Sequence, residues 1–226
     1  MPFAYFNFQY LAFMLPAILL SFIAQMMVKT TYAKYSKVLN RRGLTGAMAA
    51  EQVLWGNHVP GIRFEHIRGN LTDHFDPRTN VIALSDGVYN QATIAAVGVA
   101  AHEAGHAVQH ATGYIPIKVR SAIIPITQIG SQLSIPLILM GFLFQFQPLV
   151  FAGILFYATA ALFQLVTLPV EFNASARAMK VLEQSEMLAG DELTGAGKVL
   201  RAAAMTYVAA LATAVLNLVR LLLIRG

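Results

Sequence analysis

The chain of 226 residues has no cysteine, and over long stretches it has no charge. The first absence excludes a disulfide framework and any thiolate metal site, so a metal would have to be held by His, Asp or Glu. The second absence carries more information. Charged residues make up 12% of the chain and hydrophobic ones 57%, where a soluble domain carries about 25% charged. The deficit is concentrated. No Lys, Arg, Asp or Glu precedes Lys29, none lies between Arg120 and Glu171, and none between Arg201 and Arg220. A helix of ~20 apolar residues crosses a hydrocarbon core of ~30 Å, and gaps of this length can hold one. Internal repeats and low-complexity tracts are also lacking. These absences describe an integral membrane protein that associates with a lipid bilayer.

The net charge of +5 sits between the gaps. A nucleic-acid-binding face is the rival reading of a basic chain, but here Lys and Arg flank the apolar runs and form no periodic face, so no nucleic acid partner is expected. The first apolar run, about Phe6 to Val28, lacks a basic segment before it and a small-residue cleavage site after it, at Gln25-Met26-Met27-Val28-Lys29. It reads as a retained anchor and not as a signal peptide. Lys29, Lys34, Lys37, Arg41 and Arg42 follow at once. The positive-inside rule then puts residues after 28 on the cytoplasmic side.

Five segments are expected. Residues 1–28 form a first span, with Pro16 inside it. Residues 29–120 form a polar region. Within it Thr45 is set to cap a helix running through Trp55. Two or three short strands follow, around Ile62–Glu65 and Val81–Leu84, divided by turn signals at Gly69-Asn70 and Asp76-Pro77. A helix from about Tyr89 to Ala111 closes the region, ended by Gly113 and Pro116. Residues 121–170 are long enough for a hairpin of two spans, Ile123–Phe144 and Leu149–Leu168, turning at Gln145, Gln147 and Pro148. Such a hairpin returns the chain to the side it left. Residues 171–201 are polar and helical, broken at Gly190 and at Gly195–Gly197. Residues 202–226 give a fourth, alanine-rich candidate followed by Arg220 and Arg225, either spanning or interfacial.

Chemistry concentrates in "VAAHEAGHAVQH", Val99 to His110. His102 and His106 stand four apart on a predicted helix and therefore share a face. Two imidazoles so placed can ligate one Zn²⁺, and in such an H-E-x-x-H helix the glutamate, here Glu103, is positioned as general base. Gly105 costs about 1 kcal/mol of helix propensity, which points to close approach of another backbone or of substrate, or to tight helix packing. The motif alone should arise by chance in roughly one protein of this size in a hundred. Two solvated histidines on a surface helix are the bland alternative, and the apolar "IAAVGVAA" before them weighs against it.

A third ligand must come from elsewhere. Glu171, Glu183, Glu186, Asp191 and Glu192 lie downstream. The last four sit in an ordinary charged segment. Glu171 is the first charge after the hairpin, and Pro169 before it is placed to start a helix. Glu171 is thus either a ligand or a helix N-terminal charge, and its return to the side of His102 favours the ligand. His110 extends the stripe by another four residues, too far along a straight helix for all three imidazoles to share an ion, and reads as an interface or supporting residue. His74, in "LTDHFDP", is a substrate contact or a turn residue. His58 and His66 read as structural or solvent-facing.

"AAHEAGHAVQHATGY", "LTDHFDPRTNVIALSDGVY" and "LPVEFNASARA" resemble, in the same order, the YugP-type family of bacterial membrane zinc metallopeptidases, over most of the chain. The architecture is also similar to the HtpX and CAAX prenyl proteases. The resemblance implies a mainly α-helical integral membrane protein with a small α+β zincin-like catalytic domain. It implies a gluzincin-like endopeptidase of the bacterial plasma membrane, multi-pass, with its site at the cytoplasmic face. One Zn²⁺ per chain would be held by His102, His106 and Glu171, with Glu103 as base and a protein or peptide as substrate. The HtpX pattern has an aspartate four residues after the ligand glutamate, where it orients a histidine. Here that position is Ser175, a weaker orienting group, with Asn173 as a neighbouring candidate. His74 and Arg177 are candidates for oxyanion donor. An edge strand around Val81–Leu84 is expected to pair with extended substrate. Two other classes stand against this reading. One is a non-proteolytic membrane metal-binding or scaffold protein, from which Glu103 substitution discriminates. The other is a transporter, disfavoured because the three clearer spans hold no ionisable residue. No feature specifies an oligomeric state.

Overall fold

The computed structural model describes the backbone of residues 2–225 and the side chains of residues 11–223; the side chains from Phe6 to Tyr10 and that of Arg225 lie outside the described set. In chain order the elements are α1 (Pro2–Tyr35), α2 (Gly46–Gly56), β1 (Arg63–Ile67), β2 (His74–Asp76), β3 (Val81–Ser85), α3 (Ile94–Ala111), α4 (Ile115–Leu143), α5 (Gln147–Gln184) and α6 (Asp191–Arg225). The chain is mainly helical with a small three-stranded sheet. Among the described residues four stretches are long and apolar enough to cross a membrane: Leu11–Tyr35, Ile115–Leu143, Gln147–Gln184 and Asp191–Leu223.

The chain forms two compact units. The first takes residues up to 25, 118–168 and from 205 onward. Its exterior is apolar: Ile18, Phe22, Ile126, Leu139, Leu155 and Leu165 are all exposed, as lipid-facing residues are. Inside it Ile138, Val150 and Ile154 pack with Leu218 and Leu221. Ser21 and Thr213 pair their hydroxyls at 3.3 Å across α1 and α6, since polar atoms in such a unit need partners from neighbouring helices. The expected α4–α5 turn is present, with Gln145 in the left-handed region at φ 53°.

The second unit takes residues 26–117 and 169–204. Its core joins α2, α3, β3, the end of α5 and the start of α6 through Val53, Leu84, Val97, Val108, Leu182 and Leu200. Thr45 caps α2 by accepting from the Met48 N–H. Asn40 locks the approach to α2 by hydrogen-bonding Leu44 through both its amide oxygen and its amide nitrogen. The strand order is β1-β3-β2, with β1 parallel and β2 antiparallel to β3. All five β3 residues are buried, which explains its apolar run: a central strand is covered on both faces.

Several expectations are corrected. Val81–Leu84 lies in the central strand, so its backbone is paired on both sides and it offers no edge; the edges are β1 and β2. Helix α3 starts at Ile94 and not Tyr89, because Thr93 caps it by accepting from the Ala96 N–H. Pro169 starts no helix. It lies inside α5, and Glu171 is mid-helix, which removes the helix N-terminal role for that carboxylate. Proline inside a long apolar helix is tolerated where neighbours satisfy the freed carbonyl. Gly195–Gly197 breaks nothing, since α6 runs through it, whereas Gly190 does stand at a break, with φ +56° just before α6.

Candidate metal centre

Helix α3 forms where the apolar "IAAVGVAA" gives it a buried face, and it carries His102 and His106 one turn apart at the edge of that face. It lies against α5 because residue 105 is glycine. A Cβ there would come within 2.6 Å of the Ala174 carbonyl oxygen, an approach no real side chain makes. Of the open readings of Gly105, the structure shows close approach of another backbone.

That approach brings Glu171, on α5, to both histidines. Its Oε2 lies 3.3 Å from His102 Nε2 and 3.5 Å from His106 Nε2. The side chains are 15%, 12% and 3% exposed for His102, His106 and Glu171. The three donor atoms all lie within 4.8 Å of one another and form a group able to hold a metal ion.

The outer faces of the two imidazoles are engaged. His102 Nδ1 sits 3.1 Å from Ser175 Oγ. His106 Nδ1 sits 3.1 Å from Gln109 Oε1. Gln109 is fully buried, and its Nε2 donates to the Val170 carbonyl at 2.8 Å and to Asn173 Oδ1 at 3.0 Å. Both its amide hydrogens are thereby used on carbonyl oxygens, so the atom facing His106 is an acceptor. His106 Nδ1 must donate, and its Nε2 carries the lone pair. Arg177 Nε also donates to Asn173 Oδ1, at 2.8 Å, and its guanidinium lies 5.8 Å from the Tyr114 ring centroid.

A lone pair on His106 Nε2 and the Glu171 carboxylate therefore face each other, and two acceptors meet only across a cation. Without a metal, a proton takes that place. Burial pushes the His106 pKa down, but the hydrogen bond to Glu171 and the charges of Glu103 and Glu171 outweigh it and hold it above its ordinary value. The spacing leaves room for a metal ion. A charge-assisted N–H···O bond is about 2.7–2.9 Å long. Donors bound tetrahedrally to zinc at about 2.0–2.1 Å stand about 3.3–3.4 Å apart. The two His–Glu171 separations here, 3.3 and 3.5 Å, are close to the second, and the whole donor set lies within 4.8 Å. Two imidazoles and a carboxylate are also a donor set that zinc accepts.

The remaining sequence candidates fall as follows. Glu103 follows His102 on α3 and is half-buried, close enough for its charge to bear on His106. Ser175 reaches His102, while Asn173 and Arg177 reach His106 only through Gln109. His110 is exposed, and its ring meets Phe75 edge-on at 6.0 Å. His74 opens β2 with Nδ1 2.9 Å from the Thr72 carbonyl and is not in the cluster. His58 is exposed, and His66 pairs with Asp86 at 2.9 Å and stacks on Tyr89. Gln109 was missed by sequence reasoning. Its signal is a polar residue three positions after His106 on a helix face otherwise apolar, where a buried amide needs partners.

No solved structure matches the chain. It is 42% identical over 205 residues, 91% of each chain, to a Bacillus subtilis (strain 168) protein named "Putative membrane protease YugP". A match over residues 10–226 to the family described as "Putative neutral zinc metallopeptidase" joins that likeness, and the chain belongs to this metallopeptidase family.

Proposed function

We propose that this protein is a membrane-embedded zinc endopeptidase that holds one Zn²⁺ with His102, His106 and Glu171 and uses Glu103 as its proton carrier. The observation that carries the reading is the facing of His106 Nε2 and Glu171 Oε2 at 3.5 Å, with both imidazole Nδ1 atoms committed elsewhere. Zinc bound there would supply a Lewis acid for a peptide carbonyl and lower the pKa of a water toward ~7. Glu103 takes the proton from the attacking water and passes it to the departing amine. Gln109 holds the His106 imidazole in the tautomer that leaves Nε2 free, and Ser175 supports the His102 imidazole through Nδ1. An extended substrate would add to the outer edge of β2, which among the described strands pairs with β3 alone and whose Phe75 meets His110 of α3. His74 and Arg177 are candidates for the oxyanion donor, and Arg177 Nε already donates to Asn173 Oδ1.

The uncharged hairpin of residues 121–170 and the run of Lys29, Lys34, Lys37, Arg41 and Arg42 after the first apolar stretch support a multi-pass protein of the bacterial plasma membrane with this site on the cytoplasmic side. Metal analysis of purified protein tests the ligand set. Wild type is expected to carry one zinc per chain and Glu171→Ala to lose it; unchanged zinc in the variant moves the third ligand elsewhere.

A further inference from the structure

Away from the metal centre, a cleft of ≈ 350 Å³ opens between the ends of α1 and α6 that belong to the second unit. Helix α1 contributes Met27, Thr30, Thr31 and Lys34, spaced i, i+3, i+4, i+7 and hence on one face. Helix α6 contributes Lys198, Arg201 and Ala202, again one face. Tyr35 sets the gap between them. Its ring lies against residue 195, where a Cβ would come 2.7 Å from Cε1, so glycine is required for this approach. Lys34 Nζ sits 5.4 Å from the centroid of the same ring.

Three cations line the cleft and no carboxylate does. Helix α1 carries no acid at all, and the only acids of α6 are Asp191 and Glu192. Both are engaged by Arg41: Asp191 Oδ1 accepts from its guanidinium at 2.7 Å, and Glu192 Oε1 accepts from its backbone N–H at 2.7 Å. No ion pair among the described residues uses Lys34, Lys198 or Arg201. Converging like charges favour a bound anion.

The lining is also graded. Met27 belongs to the uncharged run of α1, and Ala202 opens the uncharged run of α6. Thr30, Thr31 and Arg201 come next, and Lys34 and Lys198 stand at the other end. An anion attached to an apolar chain fits that order better than a free anion. We infer that the cleft binds the phosphate of an anionic membrane lipid between Lys34, Lys198 and Arg201, with the apolar part of the lipid leaving past Met27 and Ala202. The inference rests on the membrane placement proposed above and is independent of the zinc chemistry.

Full-length protein in non-ionic detergent, titrated with phosphatidylglycerol or phosphatidylcholine of the same chains and followed by native mass spectrometry, tests it. One phosphatidylglycerol per chain is expected to bind about tenfold or more tightly than phosphatidylcholine. The double change Lys198→Gln/Arg201→Gln, and separately Lys34→Gln, are expected to remove that preference. Lys29→Gln/Lys37→Gln removes equal charge outside the cleft and is expected to leave it within about twofold. Equal affinity for the two lipids would overturn the inference, as would equal losses in the cleft and control variants, which mean diffuse surface charge. Displacement of the lipid by inorganic phosphate or glycerol 3-phosphate at similar concentration would assign the site to a soluble phosphate and overturn it too. Zinc content measured on the same samples separates the two readings: lipid preference absent with zinc intact sinks the cleft alone.

Discussion

Gln109 holds His106. Its Oε1 lies 3.1 Å from His106 Nδ1, and its two amide hydrogens are spent on the Val170 carbonyl and Asn173 Oδ1, both on α5. The tautomer of a candidate ligand on α3 is thus set by a network anchored in the helix that carries Glu171. Replacing Gln109 with Leu keeps the bulk and removes the acceptor. Loss of such an outer partner typically costs 10- to 100-fold in metal affinity. Zinc affinity of Gln109→Leu, measured against a chromophoric chelator, is expected to fall by about that factor; an affinity within about twofold of wild type would show that His106 needs no orienting acceptor.

Gly105→Ala should destabilise even though alanine is the better helix former by about 1 kcal/mol. The new Cβ would meet backbone, the Ala174 carbonyl at 2.6 Å, and backbone cannot swing aside as a side chain can. Separating α3 from α5 also separates both histidines from Glu171. Overpacking of this kind costs about 1–3 kcal/mol, so a lowered melting temperature together with weakened zinc binding is expected. A raised melting temperature would mean that the helices part freely at this point.

Ser175 occupies the place where a carboxylate would orient His102 more strongly. Ser175→Asp puts an anion beside Nδ1 and should tighten zinc binding, whereas Ser175→Ala removes the 3.1 Å contact and should weaken it. Paired titrations of the two variants check the order Asp, Ser, Ala. An alanine variant that binds as well as the aspartate variant would exclude Ser175 from the site.

The pH dependence of the metal-free and zinc-loaded proteins should have opposite signs. Without metal, the His106 pKa in the folded state is raised above 6.5. Its contribution to stability is then fully present below the unfolded value and is lost as pH rises through the folded one. Zinc competes with that same proton, so zinc binding weakens as pH falls below the raised pKa and releases a proton when it occurs near neutrality. Calorimetry in buffers of different ionisation enthalpy measures the release. No proton release at neutral pH would show that His106 is already neutral in the free protein.

The parts of this molecule that rest on local pattern were legible in the sequence. Thr45 as a cap, the α4–α5 turn at Gln145 and the pairing of His102 with His106 each follow from residues within one or two turns of each other. Glu171 was reachable from farther away because 50 uncharged residues separate it from Arg120, and a hairpin is the simplest way to place them in a bilayer. What failed depended on contacts between distant segments. Val81–Leu84 reads as a strand, and its unbroken apolar run marks burial of both faces but not which strands pair with its two edges. Pro169 carries a local helix-start signal that the continuous α5 overrides. Gln109 was invisible because its role exists only once Val170 and Asn173 stand opposite it.

The central claim is that Glu103 moves a proton at a zinc site and takes no part in holding the metal. Its most direct test is the change Glu103→Gln, with zinc content and cleavage of an unfolded protein substrate measured on the same purified, full-length protein. One zinc per chain is expected in both proteins, with cleavage lost by a factor of about 10² or more in the variant. Cleavage at the wild-type rate with zinc bound would contradict it.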